Sequence, residues 1–185
     1  MPPMHEQARL VQERRDYHVP ADNLYAFVEI PKGSRNKYEY DPAVRRVVLD
    51  RTLWTSVVYP TDYGFLTETL GRDGDPVDAL VLVAEPTFPG CLIQVEPIGV
   101  FEMRDEKGED DKVLCVPRKD PKWSHMHDIA DVRPSLLDEI GHFFDIYKDL
   151  ESGGETEVRG WHGRTYADEV IAEARASYLH AGAPR

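Results

Sequence analysis

The segment GRDGDPVDALVLV carries three carboxylates, Asp73, Asp75 and Asp78, in a turn of glycine and proline that runs directly into an apolar strand. Pro76 fixes its own φ and pushes Asp75 toward extended backbone, so the turn is stiffer than a generic acidic loop and would hold a cation at lower entropic cost. A second acidic turn, MRDEKGEDDKV, repeats the five-residue separation with Asp105 and Asp110. If both turns lie at one end of the fold, four or five carboxylates face one another. Such a cluster is strongly repulsive unless hard divalent cations, magnesium or manganese, are bound. Taken singly, each loop is equally a solvated hairpin tip, because Asp and Gly are what turns prefer. A calcium-binding hand fails on spacing: it needs Gly at position six and Glu at position twelve, where this chain has Asp78 and Ala84.

Basic and aromatic side chains stand in blocks of their own. In KYEY, Lys37 and Glu39 share one strand face while Tyr38 and Tyr40 take the other, so Lys37 is either an exposed ion-pair partner or a phosphate ligand. Glu29 interrupts the apolar run FVEIP, where a carboxylate is costly unless it faces a polar cavity or edge. Arg51 follows VVLD, and YPTDYGF adds Tyr59 and Tyr63; both residue types hydrogen-bond phosphate oxygens, Arg through a bidentate fork. Tyr147 and Lys148 follow an apolar helical pattern, where packing and helix-end charge explain them equally well. His125 and His127 lack a third metal-ligating partner nearby and are set aside.

Positioning these groups falls to many short elements. YAFVEI, KYEY, VRRVVLD, ALVLVA, LIQVEPIGVFEM and KVLCVP read as strands punctuated by Pro, Gly and Asp, which suggests a barrel or sandwich. After Pro134, Leu136, Ile140, Phe143, Phe144 and Tyr147 recur at spacings of three and four, the pattern of an amphipathic helix with Pro in its first turn. A second helix is expected from about Tyr166 to Leu179, with Thr165 and Asp168 resembling a capping box. The linker ESGGETEVRGWHGR is expected to be loop with at most one short strand. Residues 1–20 are expected to be a short helix near 6–15 or a frayed extension of one domain spanning 1–185.

The formal net charge of −12 repels nucleic-acid phosphates and anionic membranes, so a phosphate substrate must meet a local basic patch or arrive with cations. Nowhere does the chain offer the roughly 18 consecutive apolar residues of a membrane span. Its two cysteines, Cys91 and Cys115, sit in apolar stretches and suit a reducing cytoplasm.

In order, EIPKGSRNKYEYD, LDR, YPTDYGF, DGDPVDALVL, DEKGEDDK and HFFDIYKDL resemble the family I soluble inorganic pyrophosphatases from about Tyr25 to Leu150. That resemblance implies an α+β fold, a five-stranded closed barrel of oligonucleotide-binding type with peripheral helices, and a short prokaryotic form assembling as a hexamer. It further implies magnesium, or manganese in its place, held by Asp73, Asp78, Asp105 and Asp110, with Glu29 as an outer or additional metal contact. Asp75 resembles the base near the attacking water, a role that could instead fall to Asp110. Lys37, Arg51, Tyr63, Lys112, Tyr147 and Lys148 resemble phosphate-binding residues acting on pyrophosphate as its magnesium complex, and Glu39 and Tyr59 resemble supporting ones. The resemblance weakens before Tyr25 and after Leu150.

Overall fold

The computed structural model describes residues 23–153 and 156–182. The helix expected near 6–15 lies outside them. Among the described residues, nine strands and two α-helices follow one another as β1 (Tyr25–Ile30), β2 (Asn36–Asp41), β3 (Arg46–Thr52), β4 (Asp62–Leu66), β5 (Asp78–Val81), β6 (Leu92–Asp105), β7 (Gly108–Glu109), β8 (Lys112–Pro117), α1 (Pro134–Ile146), β9 (Thr156–Gly163) and α2 (Arg164–Ala181). Pairing runs β1–β4–β5–β8–β6 and returns from β6 to β1, a ring of five strands. To this ring β6 adds β7 and β9, while β2 and β3 form a separate two-stranded sheet. The fold is therefore mixed α+β, and larger than the bare five-stranded expectation by the β7 and β9 additions and the hairpin.

Alternation along β5 and β8 explains why these strands read as continuous apolar runs: both faces are covered. Leu80 and Leu114 point into one apolar cluster together with Ile140, Phe143 and Phe144 of α1. Their neighbours Ala79, Val81, Val113 and Cys115 point into a second, with Ala167, Ile171 and Ala174 of α2. Each helix thus packs against a different side of the same strands, and α1 starts at Pro134 as its fixed φ favours.

Three local expectations need correction. The ALVLVA strand ends at Val81, although Leu82 N–H still donates to the Cys115 carbonyl at 2.9 Å. The linker before α2, expected to be loop with at most one short strand, holds the eight-residue β9, while YPTDYGF, outside the segments that read as strands, supplies β4. The third concerns the Thr165–Asp168 capping box, which is absent. Thr165 lies inside α2, Asp168 pairs with Arg164, and the cap residue Gly163 has no side chain to bond with.

The orphan N–H at the start of α2 is satisfied from a distance. Asp128 Oδ2 accepts Arg164 N–H at 2.8 Å, and its Oδ1 accepts Ala130 N–H at 3.1 Å, where it also caps the 3-10 turn Ile129–Asp131. These bonds hold the Asp128 carboxyl below the usual carboxylate range. A depressed folded pKa contributes stability that is complete above the unfolded value near 3.9 and is lost as pH falls through the folded one. Asp128→Ala is therefore expected to cost about 1 kcal/mol at neutral pH, the usual scale for a lost cap. In thermal melts the gap from wild type should shrink below about pH 4; a pH-independent gap would count against the carboxylate.

Candidate active site

Parallel pairing of β5 with β8 brings the two acidic turns together. Its register sets Asp78 opposite Lys112, the first residue of each strand, so the loops feeding both strands lie at the same end of the sheet. Lys112 Nζ reaches Asp78 Oδ2 at 2.8 Å, Asp110 Oδ1 at 2.7 Å and Tyr63 Oη at 3.3 Å. Tyr63 Oη also donates to Asp78 Oδ2. With its side chain 1% exposed, Lys112 is buried, and its ammonium lies 5.3 Å from the Phe144 ring centroid and 5.4 Å from that of Tyr63.

One ammonium is shared by two carboxylates, and the titration behaviour follows from that imbalance. Burial pushes Asp110 up to about 6, with Asp78 adding to the shift and Lys112 opposing it. Burial works against the Lys112 charge, but Asp78 and Asp110 outweigh it and hold the ammonium protonated well above its ordinary range. Burial likewise raises the Tyr63 phenol, reinforced by Asp78 and Asp110, so it stays a neutral donor. The net charge of this group is negative, the sign that attracts a cation.

The turn after α1 delivers the next pair. Lys148 Nζ donates to Asp105 Oδ2 at 3.2 Å and to Glu106 Oε1 and Oε2 at 3.1 and 3.2 Å. Burial opposes ionisation of Asp105, yet bonds from Lys107 N–H and Lys148 bring it below the usual range. Tyr147 is buried against Phe143 and Phe144, with ring centroids 5.3 and 5.5 Å away. Burial raises its phenol too, while the neighbouring Lys112 and Lys148 charges oppose the shift. Phe143 in turn packs 4.7 Å from Tyr59, whose ring lies 5.5 Å from Tyr63. This aromatic chain fixes the phenols of β4 and of the α1 turn relative to one another.

The β2–β3 hairpin brings a third group. Lys37 pairs with Glu39 and reaches Asp50 Oδ2 at 3.5 Å, and Asp50 also takes Arg51 Nη1. Glu151 clamps the other edge of Arg51, at 3.0 Å from Nε and 2.7 Å from Nη2. Glu29, on β1, accepts Tyr40 N–H at 2.7 Å. Burial nevertheless pushes Glu29 up to about 7, helped by Asp78 and Glu39 and opposed by Lys37. Asp78 of the Lys112 group is thus one of the charges that raise Glu29.

Asp73 and Asp75 occupy a different position, on the exposed loop leading into β5. Asp73 Oδ1 accepts Asp75 N–H at 3.0 Å, Gly71 N–H donates to the Asp75 carbonyl at 2.6 Å, and Gly74 turns the chain with φ of +91°, which favours glycine. Asp73 thus spends one oxygen stiffening its own turn. Sequence reasoning missed Glu106, Asp50 and Glu151. Glu106 and Asp50 adjoin Asp105 and Arg51 in sequence, but nothing in the chain signals Glu151, because its partner lies 100 residues away.

Among the described residues, no three acidic, histidine or cysteine side chains are already gathered as a metal cage. The donor set still fits magnesium or manganese: it is all carboxylate oxygen, the ligand hard cations prefer. Magnesium keeps several waters and is commonly bound through one or two carboxylates plus substrate phosphates, which pairs such as Asp78 with Asp110 suit.

The model of the family described as inorganic pyrophosphatase matches residues 26–179. The chain belongs to the inorganic pyrophosphatase family. It is 58% identical over 151 residues to an inorganic pyrophosphatase of Streptomyces coelicolor, covering 82% of this chain and 91% of that one. A relative of the same name from Methanosarcina acetivorans is 53% identical over 152 residues, covering 82% and 90%. Among solved structures, the inorganic pyrophosphatase from Thermus thermophilus superposes with a TM-score of 0.84 at 42% identity, covering 88% of this chain and 95% of that one. As in the sequence resemblance, the family match stops short of the N-terminal extension, but it runs on to residue 179, past Leu150 where the resemblance weakens.

Proposed function

We propose that the chain hydrolyses pyrophosphate to two phosphates, with magnesium as its cation and manganese or another divalent ion as substitute. The observation that supports this most is the meeting of Asp78 and Asp110, one carboxylate from each acidic turn, around Lys112 in a chain of this family. Asp78, Asp105 and Asp110, with Asp73 from the loop, are the ligands, and Glu29 is an outer contact. When bound, magnesium supplies charge neutralisation and makes water a competent nucleophile at neutral pH. Lys37, Arg51, Lys112 and Lys148 neutralise phosphate oxygens while Tyr63 and Tyr147 donate hydrogen bonds, as charge shifts along the line of displacement. The lysines now engaged with carboxylates exchange part of those bonds for the substrate. With a chain net charge of −12, pyrophosphate arrives as its magnesium complex, and nucleic acid is disfavoured.

Asp75 accepts the proton of the attacking water, with Asp110 as the alternative acceptor. Asp75→Asn keeps the shape of an exposed loop residue but removes the base, so turnover is expected to fall roughly 10²-fold with the melting temperature unchanged. A near-normal rate of phosphate release would move the base to Asp110. Phosphate release measured with magnesium and again with a chelator tests the whole assignment; turnover is expected only with the cation.

The ring of five pairings supports a closed barrel of oligonucleotide-binding type. Exposed Val48, Leu49, Trp54 and Phe88 offer apolar surface that a homo-oligomer, the hexamer of the short prokaryotic form, would cover. Free thiols at Cys91 and Cys115 suit the cytoplasm, and no helix among the described residues is long and apolar enough to cross a membrane.

A further inference from the structure

Arg51 is tied to two carboxylates at once, and only one of them is its neighbour in sequence. Asp50 takes Nη1 from within β3, while Glu151 takes Nε at 3.0 Å and Nη2 at 2.7 Å as a bidentate fork. Glu151 itself is well placed to hold still: its side chain is 16% exposed, and its N–H donates to the Lys148 carbonyl at 2.8 Å. The same turn therefore carries Tyr147, Lys148 and Glu151. On the other side, Arg51 belongs to a hairpin that pairs with no strand of the large sheet. The fork thus joins a two-stranded outlier to the α1 turn.

We propose that Glu151 is a positioning residue that sets the guanidinium of Arg51 for phosphate. The inference rests on the pyrophosphate-hydrolysing reading above and concerns the same site. A guanidinium has five N–H donors. Glu151 and Asp50 occupy one each on Nε, Nη2 and Nη1, which by count leaves one N–H on each terminal nitrogen for phosphate oxygens. A fork at the Nε edge fixes the plane of the group, which a single contact does not. It removes the rotamer freedom that a long side chain on a peripheral hairpin would otherwise lose on binding substrate. Glu151 touches neither substrate nor water in this scheme; it acts through Arg51.

Steady-state kinetics on Glu151→Gln, Arg51→Lys and the double variant test this. Gln keeps the shape of Glu151 but breaks the fork, so KM for pyrophosphate is expected to rise about tenfold, the scale of a lost charge-assisted hydrogen bond, with kcat falling less than about threefold. Glu151→Asp, which keeps the charge, is expected to fall between wild type and Gln. Lys cannot form the fork, so adding Gln to Arg51→Lys is expected to change KM less than about twofold. An unchanged or lowered KM in Glu151→Gln, or a full tenfold effect in the Lys background, would overturn the positioning role, whatever the melting temperature does. Equilibrium binding of pyrophosphate to wild type and Glu151→Gln reads the same geometry without turnover. A wild type that releases no phosphate would therefore refute the hydrolytic reading while weaker binding by Glu151→Gln still upheld the positioning one.

Discussion

Replacing Lys112 with methionine is expected to cost about 3 kcal/mol of stability in chelator, and phosphate release about 10²-fold or more in magnesium. The loss comes from charge left behind. Lys112 is buried, and its ammonium is the shared partner of Asp78 and Asp110 at 2.8 and 2.7 Å. Methionine fills the same volume but leaves two carboxylates facing each other beside the Tyr63 hydroxyl. Their side chains are 29% and 24% exposed, so water and a captured proton soften the penalty, which keeps it at the lower end of the range for a broken buried pair. If those carboxylates hold a divalent cation, magnesium stabilises the variant by mass action more than it does wild type, because the site has become more negative. The gap in melting temperature should then be narrower in magnesium than in chelator. An equal gap in both would mean that Asp78 and Asp110 do not form a cation site.

Gly64→Ala is expected to destabilise the protein by about 4 kcal/mol or more, in the extreme tail of single substitutions. A Cβ on Gly64 would stand 1.9 Å from the Phe27 carbonyl oxygen and 3.0 Å from Glu29 N, both backbone atoms that no rotamer change can move. Relief requires β1 to part from β4, where Gly64 pairs with Val28, and that displaces Glu29 and Tyr63 together. Gly141→Ala is the contrasting substitution: within α1 its new methyl would meet the Phe101 ring at 3.8 Å, an ordinary contact, and relief of glycine entropy should stabilise by about 0.5–1 kcal/mol. Urea denaturation of the two variants should move in opposite directions. A wild-type midpoint for Gly64→Ala would contradict the close approach of these strands.

Some of this was legible in the chain because local chemistry dictates it. The α1 pattern from Leu136 to Tyr147 placed its buried face correctly, since spacing along a helix is a local property. The strands around Leu80 and Leu114 were visible as apolar runs, although only their burial on two sides explains why they do not alternate. β4 was hidden because Pro60, Asp62 and Gly64 carry turn chemistry; in the fold Asp62 is buried and accepts Lys32 N–H at 2.8 Å and Thr87 N–H at 3.2 Å, a tertiary use no local pattern reveals. The α2 cap was misread for the same reason, since its acceptor, Asp128, lies 36 residues upstream.

For the site, composition could establish acidic turns and stop at a hard-cation suggestion. Whether the two turns met depended on the parallel pairing of β5 and β8, a long-range fact absent from either segment alone. The individual basic residues were ambiguous in sequence because a surface ion pair and a phosphate ligand use the same side chains. Lys112 is the instructive case: it continues an acidic turn and looks like ordinary turn punctuation, yet it is buried at the point where both turns converge.

The central claim is tested most directly by counting phosphate released from pyrophosphate by the purified chain. Two phosphates per pyrophosphate are expected in magnesium, with turnover abolished by chelator and restored by magnesium or manganese, and with nucleoside triphosphates and single-stranded nucleic acid turned over far more slowly. Turnover that persists in chelator, a preference for nucleotides, or cation binding without any phosphate release would contradict it.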